Sequence, residues 1–401
     1  MIDVQLAVGV GVSVILAFLV VWFLFFLFRR VSAKKDDEIE ANNTNEIKLE
    51  HTARKYCNVH ISTFEKTVPK MRLHNLRKAT NYFSKNTIIR SGRAGILYKA
   101  MLLDGSSLAI MRLRDSQYSD KEFISEMTML GRLKHRNVVP LLGFCIARKE
   151  RLLIYKYMPK GTLYQQLHEG YMEWPLRLRI AIGVARGLAW LHHSCDSCIV
   201  HCNISSKRIL LDEDYEPKIS KFRSAALLDP LNTHLSVHAN IKSDDMGLVA
   251  PEFTSKVVAS QAGDVYSFGV VLLELITGEK ATKVANAPKG VKGFLVEWIA
   301  YLEKNSRLRH AIDRSLIGKG YDDELLRFLR VALACVVFDP EERLTMLVVY
   351  RLLRSIGPQV CIDMDGPDEL NVRRQIQEIQ QNGLNMQRIV VDTKMRKAAS
   401  F

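Results

Sequence analysis

Twenty-three consecutive uncharged residues, Leu6 to Phe28, stand near the start of the chain. At 1.5 Å per residue they reach across a hydrocarbon layer of about 30 Å, so the pattern predicts a transmembrane helix, with a buried core helix as the other reading. A cleaved signal peptide would need basic residues before a shorter apolar core, and residues 1–5 hold no Lys or Arg. Arg29, Arg30, Lys34 and Lys35 flank the run only on its C-terminal side, which orients everything after them toward the cytoplasm and leaves 1–5 outside. From Asp36 to Lys70 no periodicity appears, so 29–84 reads as a juxtamembrane linker carrying a short helix from Leu73 to Phe83.

Residues 85–158 then carry apolar or alternating runs at Ile88 to Lys99, Ser107 to Leu113, Val138 to Phe144 and Leu152 to Tyr157, which predict strands. Between the second and third lies a helix in which Ser119 and Glu122 have capping-box spacing and Phe123, Met127 and Leu130 share a face. From Met158 the period becomes helical. Ile180, Val184, Leu188 and Leu191 mark one helix, with Pro175 in its first turn. Val265 to Ile276 is apolar on nearly every side and stops at Gly278, the mark of a buried helix. Leu295 to Glu303, Glu324 to Val337 and Met346 to Ser355 complete a helical unit over 159–357. The polar, Gln-rich segment 358–401 offers at most an amphipathic helix at Leu370 to Ile379. The fold class is therefore α+β in two lobes, a small sheet with one packed helix followed by a helical lobe.

A 48% hydrophobic content suits a globular chain, and a net charge of +14 suits an anionic membrane face or an acidic partner. No DNA- or RNA-binding motif accompanies that charge, so nucleic acid is not the expected partner. Seven scattered cysteines fit a reducing compartment rather than a disulfide framework. Cys195 and Cys198 form a CxxC near His192, His193, His201 and Cys202, a zinc-like grouping. The plainer reading assigns the histidines and Cys202 to a helix end and a loop that face different ways, so no metal is expected.

The stretch VHCNISSKRILLDEDYEPKISKFR, Val200 to Arg223, has the spacing of a kinase catalytic loop followed by its metal-binding loop. SGRAG at Ser91 to Gly95 is similar to a glycine-rich loop, Ala250, Pro251 and Glu252 to APE, and DVYSFGVVLLEL from Asp264 to the buried helix beyond it. Together these resemble the two-lobed eukaryotic protein kinase fold. More closely, KYMPKGTL, GLAWLHHSC, NISSK and ILLDEDYEPKIS resemble the inactive leucine-rich-repeat receptor kinases of plants that bind SERK-type co-receptors and restrain immune and growth signalling. The resemblance covers roughly residues 1–360, and no leucine-rich ectodomain accompanies it.

The resemblance implies a role for each site position, and several positions depart from it. Met111 stands where a lysine would contact the α- and β-phosphates, and a thioether brings no charge. Arg112 follows it, but adjacent strand residues face opposite sides. Glu126 matches the lysine's acidic partner, so Lys221 is expected to pair with it instead. Asn203 stands at the general base and cannot take up a proton as a carboxylate does. Arg208 and Lys221 occupy both magnesium-ligand positions. In the nucleotide loop Gly92 and Gly95 are kept, while Arg90 replaces the first glycine. Arg90 either substitutes for the lysine from above or is an exposed loop arginine, the preferred account. Leu130, His201 and Phe222 match the hydrophobic spine between lobes. Glu252 and Arg343 match a supporting ion pair, and Asp264 a tie to the catalytic loop. Thr233, Ser236 and Ser243 in the activation segment are candidate phosphorylation sites.

These positions predict a membrane-anchored receptor-like pseudokinase at the plasma membrane that works by binding partner receptor kinases or co-receptors through its cytoplasmic domain. An active Ser/Thr kinase with a non-standard ATP site is the competing class. No cofactor is expected, and any ATP binding would be weak and independent of magnesium.

Overall fold

The computed structural model describes residues 68–357 apart from 93, 103, 115–116, 148–149, 194–197, 229–234, 237–247, 255–257 and 286–292. The span expected at Leu6 to Phe28, most of the linker and the segment 358–401 lie outside the described residues. Among the described residues no helix is long and apolar enough to cross a membrane.

Helix α1, Leu73–Ala79, turns Leu76 into a small core with Ala100, Leu108, Ile110 and Ile154 on one face of the sheet. The helix is shorter than the expected Leu73 to Phe83. Asn81, Tyr82 and Phe83 leave it with φ of 48°, 57° and 59°, a left-handed run that costs roughly 1–2 kcal/mol per side-chain-bearing residue. Two contacts offset that cost. Phe83 N–H donates to Thr80 Oγ1 at 3.2 Å, and the Phe83 ring sits 5.1 Å from Tyr98 and 4.7 Å from the Arg112 guanidinium.

The expected single run from Ile88 to Lys99 is a hairpin, β1 Ile88–Ser91 and β2 Gly95–Met101. Gly92 N–H donates to Gly95 O at 2.9 Å to close the turn. At Gly95 any side chain would collide with the carbonyl oxygen of Arg112, so only glycine lets β2 lie this close to β3, Ser107–Leu113. Helix α2, Gln117–Leu130, begins two residues before Ser119, so Ser119 is inside the helix and not its cap. Strands β4, Leu141–Ala147, and β5, Glu150–Lys156, complete an antiparallel sheet ordered β1-β2-β3-β5-β4. The strand expected from Val138 starts later because Pro140 has no N–H for the ladder. Val138 instead bridges Ile219, with Val139 N–H donating to Ile219 O at 2.9 Å, which ties the sheet lobe to the helical one.

The helical lobe opens with α3, Leu163–His168, whose Thr162 and Gln165 form a full capping box, and α4, Trp174–His193. Three short ladders follow: β6 Cys198–Val200 with β9 Ala226–Leu228, β7 Ile209–Leu211 with β8 Pro217–Ile219, and β10 Leu235–Ser236 with β11 Val258–Ala259. Helix α5, Gln261–Thr277, is buried from Gly263 onward, which accounts for its nearly uniform apolar pattern. Ser260 caps its start, and Gly278 at φ 70° ends it. Helices α6 Leu295–Lys304 and α7 Asp322–Cys335 pack against it, while α8 Met346–Arg354 packs against α4 and α7.

Candidate functional site

Asp264, buried in the first turn of α5, fixes the loop that follows β6. Its carboxylate accepts from the backbone N–H of His201 at 2.6 Å and of Cys202 at 2.8 Å, and contacts His192 Nε2 at 3.1 Å. Held this way, Cys202 adopts φ 59°. His201 Nε2 lies 3.0 Å from Ser220 O, which can only accept, so this nitrogen carries the proton. Burial pushes the His201 pKa down to about 4, leaving the ring neutral against the edge of Phe222, 4.9 Å away. Phe222 and Leu130 belong to the same hydrophobic core, and His201 meets the Phe222 ring.

The helical lobe has a second fixed point. Arg343 places Nη1 2.6 Å and Nη2 2.8 Å from the two oxygens of Glu252. Its remaining N–H groups donate to the carbonyls of Val337, Ala262 and Phe338, so all five donors of the guanidinium are used. Tyr266 packs its ring 5.0 Å from the same group.

The cleft between these supports holds a different set of side chains. Met111 lies in β3 opposite Leu97 and Leu153. Arg112 points to the other face, as strand alternation requires, where it makes a two-toothed pair with Glu150 at 2.8 and 2.6 Å. Glu126 is buried in α2. The cation beside it is Arg223, with Nε 3.9 Å from Oε2, and the Tyr155 hydroxyl of β5 lies beside the same carboxylate. Burial and the Glu126 charge push the Tyr155 hydroxyl well above its ordinary pKa, so it stays a neutral donor.

The expected Lys221–Glu126 pair is therefore corrected. Lys221 takes a left-handed conformation, φ 67° and ψ 64°, just before the short 3₁₀ turn Phe222–Ser224. That geometry swings the next residue but one, Arg223, toward α2, where Ser125 Oγ also donates to the Arg223 carbonyl at 3.1 Å. Among the described residues no carboxylate lies within 4.0 Å of the Lys221 ammonium. Its pKa falls to about 8, first through burial and then through repulsion from Arg90, Arg208 and Arg223, with Glu126 only partly opposing. Sequence reasoning missed Arg223 and Tyr155. The third position of the KFR triplet and the polar residue in LLIY were the available signals.

The other expected positions are less connected. Asn203 is half-buried, and among the described residues its amide has no hydrogen-bond partner. Arg208 Nη1 donates to Ser205 Oγ at 2.8 Å. Arg90 lies exposed on β1, in a strand rather than the loop proper, yet its charge reaches Lys221. Ser236 lies on β10; Thr233 and Ser243 are outside the described residues. Cys198 Sγ meets Gln261 Nε2 at 2.9 Å, and Cys195 is outside the described residues.

A divalent cation does not fit this cleft. Magnesium needs hard oxygen ligands near octahedral geometry. Here Arg208 and Lys221 stand where the family resemblance expects the two ligands, Arg90 and Arg223 add positive charge, and the nearby carboxylate of Glu126 already faces Arg223.

A twisted five-stranded sheet crossed by a glutamate-bearing helix, a histidine loop anchored to a buried aspartate, and an Arg–Glu pair bracing the larger lobe define the protein kinase class. Residues 83–353 match the family described as protein tyrosine and serine/threonine kinase, and the chain belongs to that family. It is 52% identical over 337 residues to a leucine-rich repeat receptor-like protein kinase of Arabidopsis thaliana, covering 81% of this chain and 54% of that relative. It is 40% identical over 351 residues to the inactive LRR receptor-like serine/threonine-protein kinase BIR2 of the same plant, covering 87% of this chain and 56% of BIR2. The solved pseudokinase domain of BIR2, described as an immune regulator of the RLK/Pelle family, aligns with a TM-score of 0.58 and 42% identity over 71% of this chain and 86% of that domain. The chain spans about half the length of these curated relatives.

Proposed function

We propose that this chain is a membrane-anchored receptor-like pseudokinase that regulates signalling by binding partner receptor kinases or co-receptors. One observation carries the reading. The groups that handle phosphate, proton and metal are replaced by Met111, Asn203, Arg208 and Lys221, while the frame around them keeps its hydrogen bonds to Asp264 and Arg343. Each replacement removes a different part of the chemistry. Met111 brings no charge to the α- and β-phosphates. Asn203 donates and accepts hydrogen bonds but cannot take the hydroxyl proton, a loss of about 10²- to 10⁴-fold. Arg208 and Lys221 repel the cation that would clamp the transferring group. What survives is a shaped two-lobed surface, and candidate phosphorylation at Thr233, Ser236 or Ser243 by an active partner would change its charge. The family resemblance and the inactive relatives support this reading.

The test is phosphate transfer by the purified full chain with labelled ATP, magnesium and a generic Ser/Thr substrate. No incorporation is expected. Incorporation abolished by Asn203→Ala would instead identify an active Ser/Thr kinase with a non-standard site. Co-purification with candidate receptor kinases tests the binding half.

A second reading is favoured by the coupling of Arg90, Arg208 and Arg223 to Lys221. These cations suit the phosphates of a nucleotide held weakly without magnesium, as a conformational ligand rather than a substrate. A thermal-shift titration with ATP should then give a shift that magnesium diminishes. A shift requiring magnesium would reject it.

A further inference from the structure

Between Glu65 and Asp104 the sequence contains no acidic residue and nine Lys or Arg. Among the described ones, Arg72, Arg77, Lys78 and Lys85 lie exposed on or beside α1. Leu76 faces the sheet, so the opposite side of α1 carries Arg77 and Lys78 into solvent, with Arg72 exposed at its start. The turn after α1 returns the chain to the edge strand. Thr87 Oγ1 donates to Thr80 O at 3.2 Å, and Ile88 pairs with Tyr98, whose ring meets Phe83. Exposed Lys85 is thereby set next to the end of α1.

Apolar side chains stand within this basic field. Tyr82, at the centre of the left-handed run, is 70% exposed, and Ile89, on the edge strand β1, is 42% exposed. A left-handed backbone at three consecutive residues that lack a glycine is kept only where surrounding contacts hold it, and here it presents an aromatic ring to solvent. Cations flank an aromatic and a β-branched residue on a segment without a carboxylate, the nearby Glu150 being already paired with Arg112, and that composition is one an anionic lipid interface selects. The charges meet headgroups, and the amphipathic ring sits at the boundary of the acyl chains.

We propose that the face formed by Arg72, Arg77, Lys78, Lys85, Tyr82 and Ile89 docks against an anionic lipid surface. Charge complementarity favours lipid over the other occupants. An acidic protein would be matched by the cations, but the exposed apolar side chains of Tyr82 and Ile89 among them suit the acyl boundary of a lipid layer. The proposal draws on the membrane anchoring proposed above only to bring the face near a bilayer, and the experiment separates the two.

The full chain carrying Tyr82→Cys with an environment-sensitive fluorophore is reconstituted into nanodiscs of phosphatidylcholine alone or with 30% phosphatidylserine, each containing lipids brominated near the headgroup. Co-elution with the discs reports the anchor; quenching of the probe reports the docked face. Quenching is expected in the phosphatidylserine discs, weak quenching without phosphatidylserine, and relief by salt. Neutralising a cation near the surface should lower the docked-to-free ratio about fivefold, so Arg77→Ala with Lys78→Ala should lower it about 30-fold. Equal quenching in both discs, or none in either while the protein co-elutes, overturns the proposal. Retention of quenching in the double variant does so too. Absence of quenching together with a shift by an acidic peptide or an oligonucleotide on the same variant-sensitive face assigns the surface to that partner instead. Failure to co-elute overturns the anchor alone, and vesicles added to the detergent-solubilised chain then read the face with the same probe.

Discussion

Arg223 brings its Nε to 3.9 Å from Oε2 of Glu126. The charge comes from the turn that follows β8 and not from β3. Lys221 in the left-handed region turns the chain, Phe222 buries itself against His201, and Arg223 emerges facing α2. Glu126 thus keeps a counter-charge, with the Tyr155 hydroxyl beside it, even though Met111 supplies none. A buried carboxylate without such partners would cost several kcal/mol or take up a proton.

Removing that counter-charge should destabilise the fold. Arg223→Ala is expected to lower unfolding free energy by about 1–3 kcal/mol, measured by denaturant titration near neutral pH. Glu126→Gln with Arg223→Met should recover part of the loss, because no charge is then left alone. Equal stability of wild type and Arg223→Ala would show that the approach at 3.9 Å contributes nothing.

Lys221 should behave in the opposite way. Its folded pKa of about 8 lies below the 10.5 of the unfolded chain, so the unfolded state binds more protons between those values. The penalty is complete below about pH 8 and disappears as pH rises through about 10.5. Lys221→Met should therefore stabilise the protein by about 1–3 kcal/mol at pH 7, after allowance for solvent screening. The difference from wild type should shrink toward pH 10. Parallel curves for the two proteins across that window would place Lys221 in solvent.

Arg343→Lys should be costly despite keeping the charge. An ammonium has three donors and no planar fork, whereas Glu252 and the carbonyls of Val337, Ala262 and Phe338 take all five from the guanidinium. The expected loss is ~2–4 kcal/mol by chemical denaturation. A change below ~0.5 kcal/mol would mean that water readily replaces the missing donors.

Catalysis should not return with one reversion. Asn203→Asp restores a base of about 10²- to 10⁴-fold value but leaves Arg208 and Lys221 repelling magnesium and Met111 silent toward phosphate. Only the combination Met111→Lys, Asn203→Asp, Arg208→Asn and Lys221→Asp is expected to give detectable transfer of labelled phosphate. Transfer by Asn203→Asp alone would show that the cleft still accommodates the metal.

The sequence by itself determined the lobed α+β arrangement, because each buried element carries its period in its own residues. The unbroken apolar helix ending at Gly278 and the Phe123, Met127, Leu130 face are examples. It also determined which residues stand where the family resemblance expects reactive groups, since the identity of Met111 or Asn203 requires no coordinates. Backbone turning was less legible. The helix expected to Phe83 stops at Ala79 because three residues adopt left-handed φ, stabilised by Tyr98 and Arg112 from distant strands. The strand expected from Val138 begins beyond Pro140, and a single run became a hairpin at Gly92 and Gly95.

Only the tertiary structure decided who neutralises Glu126. Sequence spacing ranks Lys221 and Arg223 alike, two residues apart on one loop. The positive φ at Lys221 and the burial of Phe222 choose between them, and both depend on packing between segments roughly a hundred residues apart. The electrostatic partner of a buried charge follows from where the backbone aims each side chain, and that direction is set by contacts no local pattern contains.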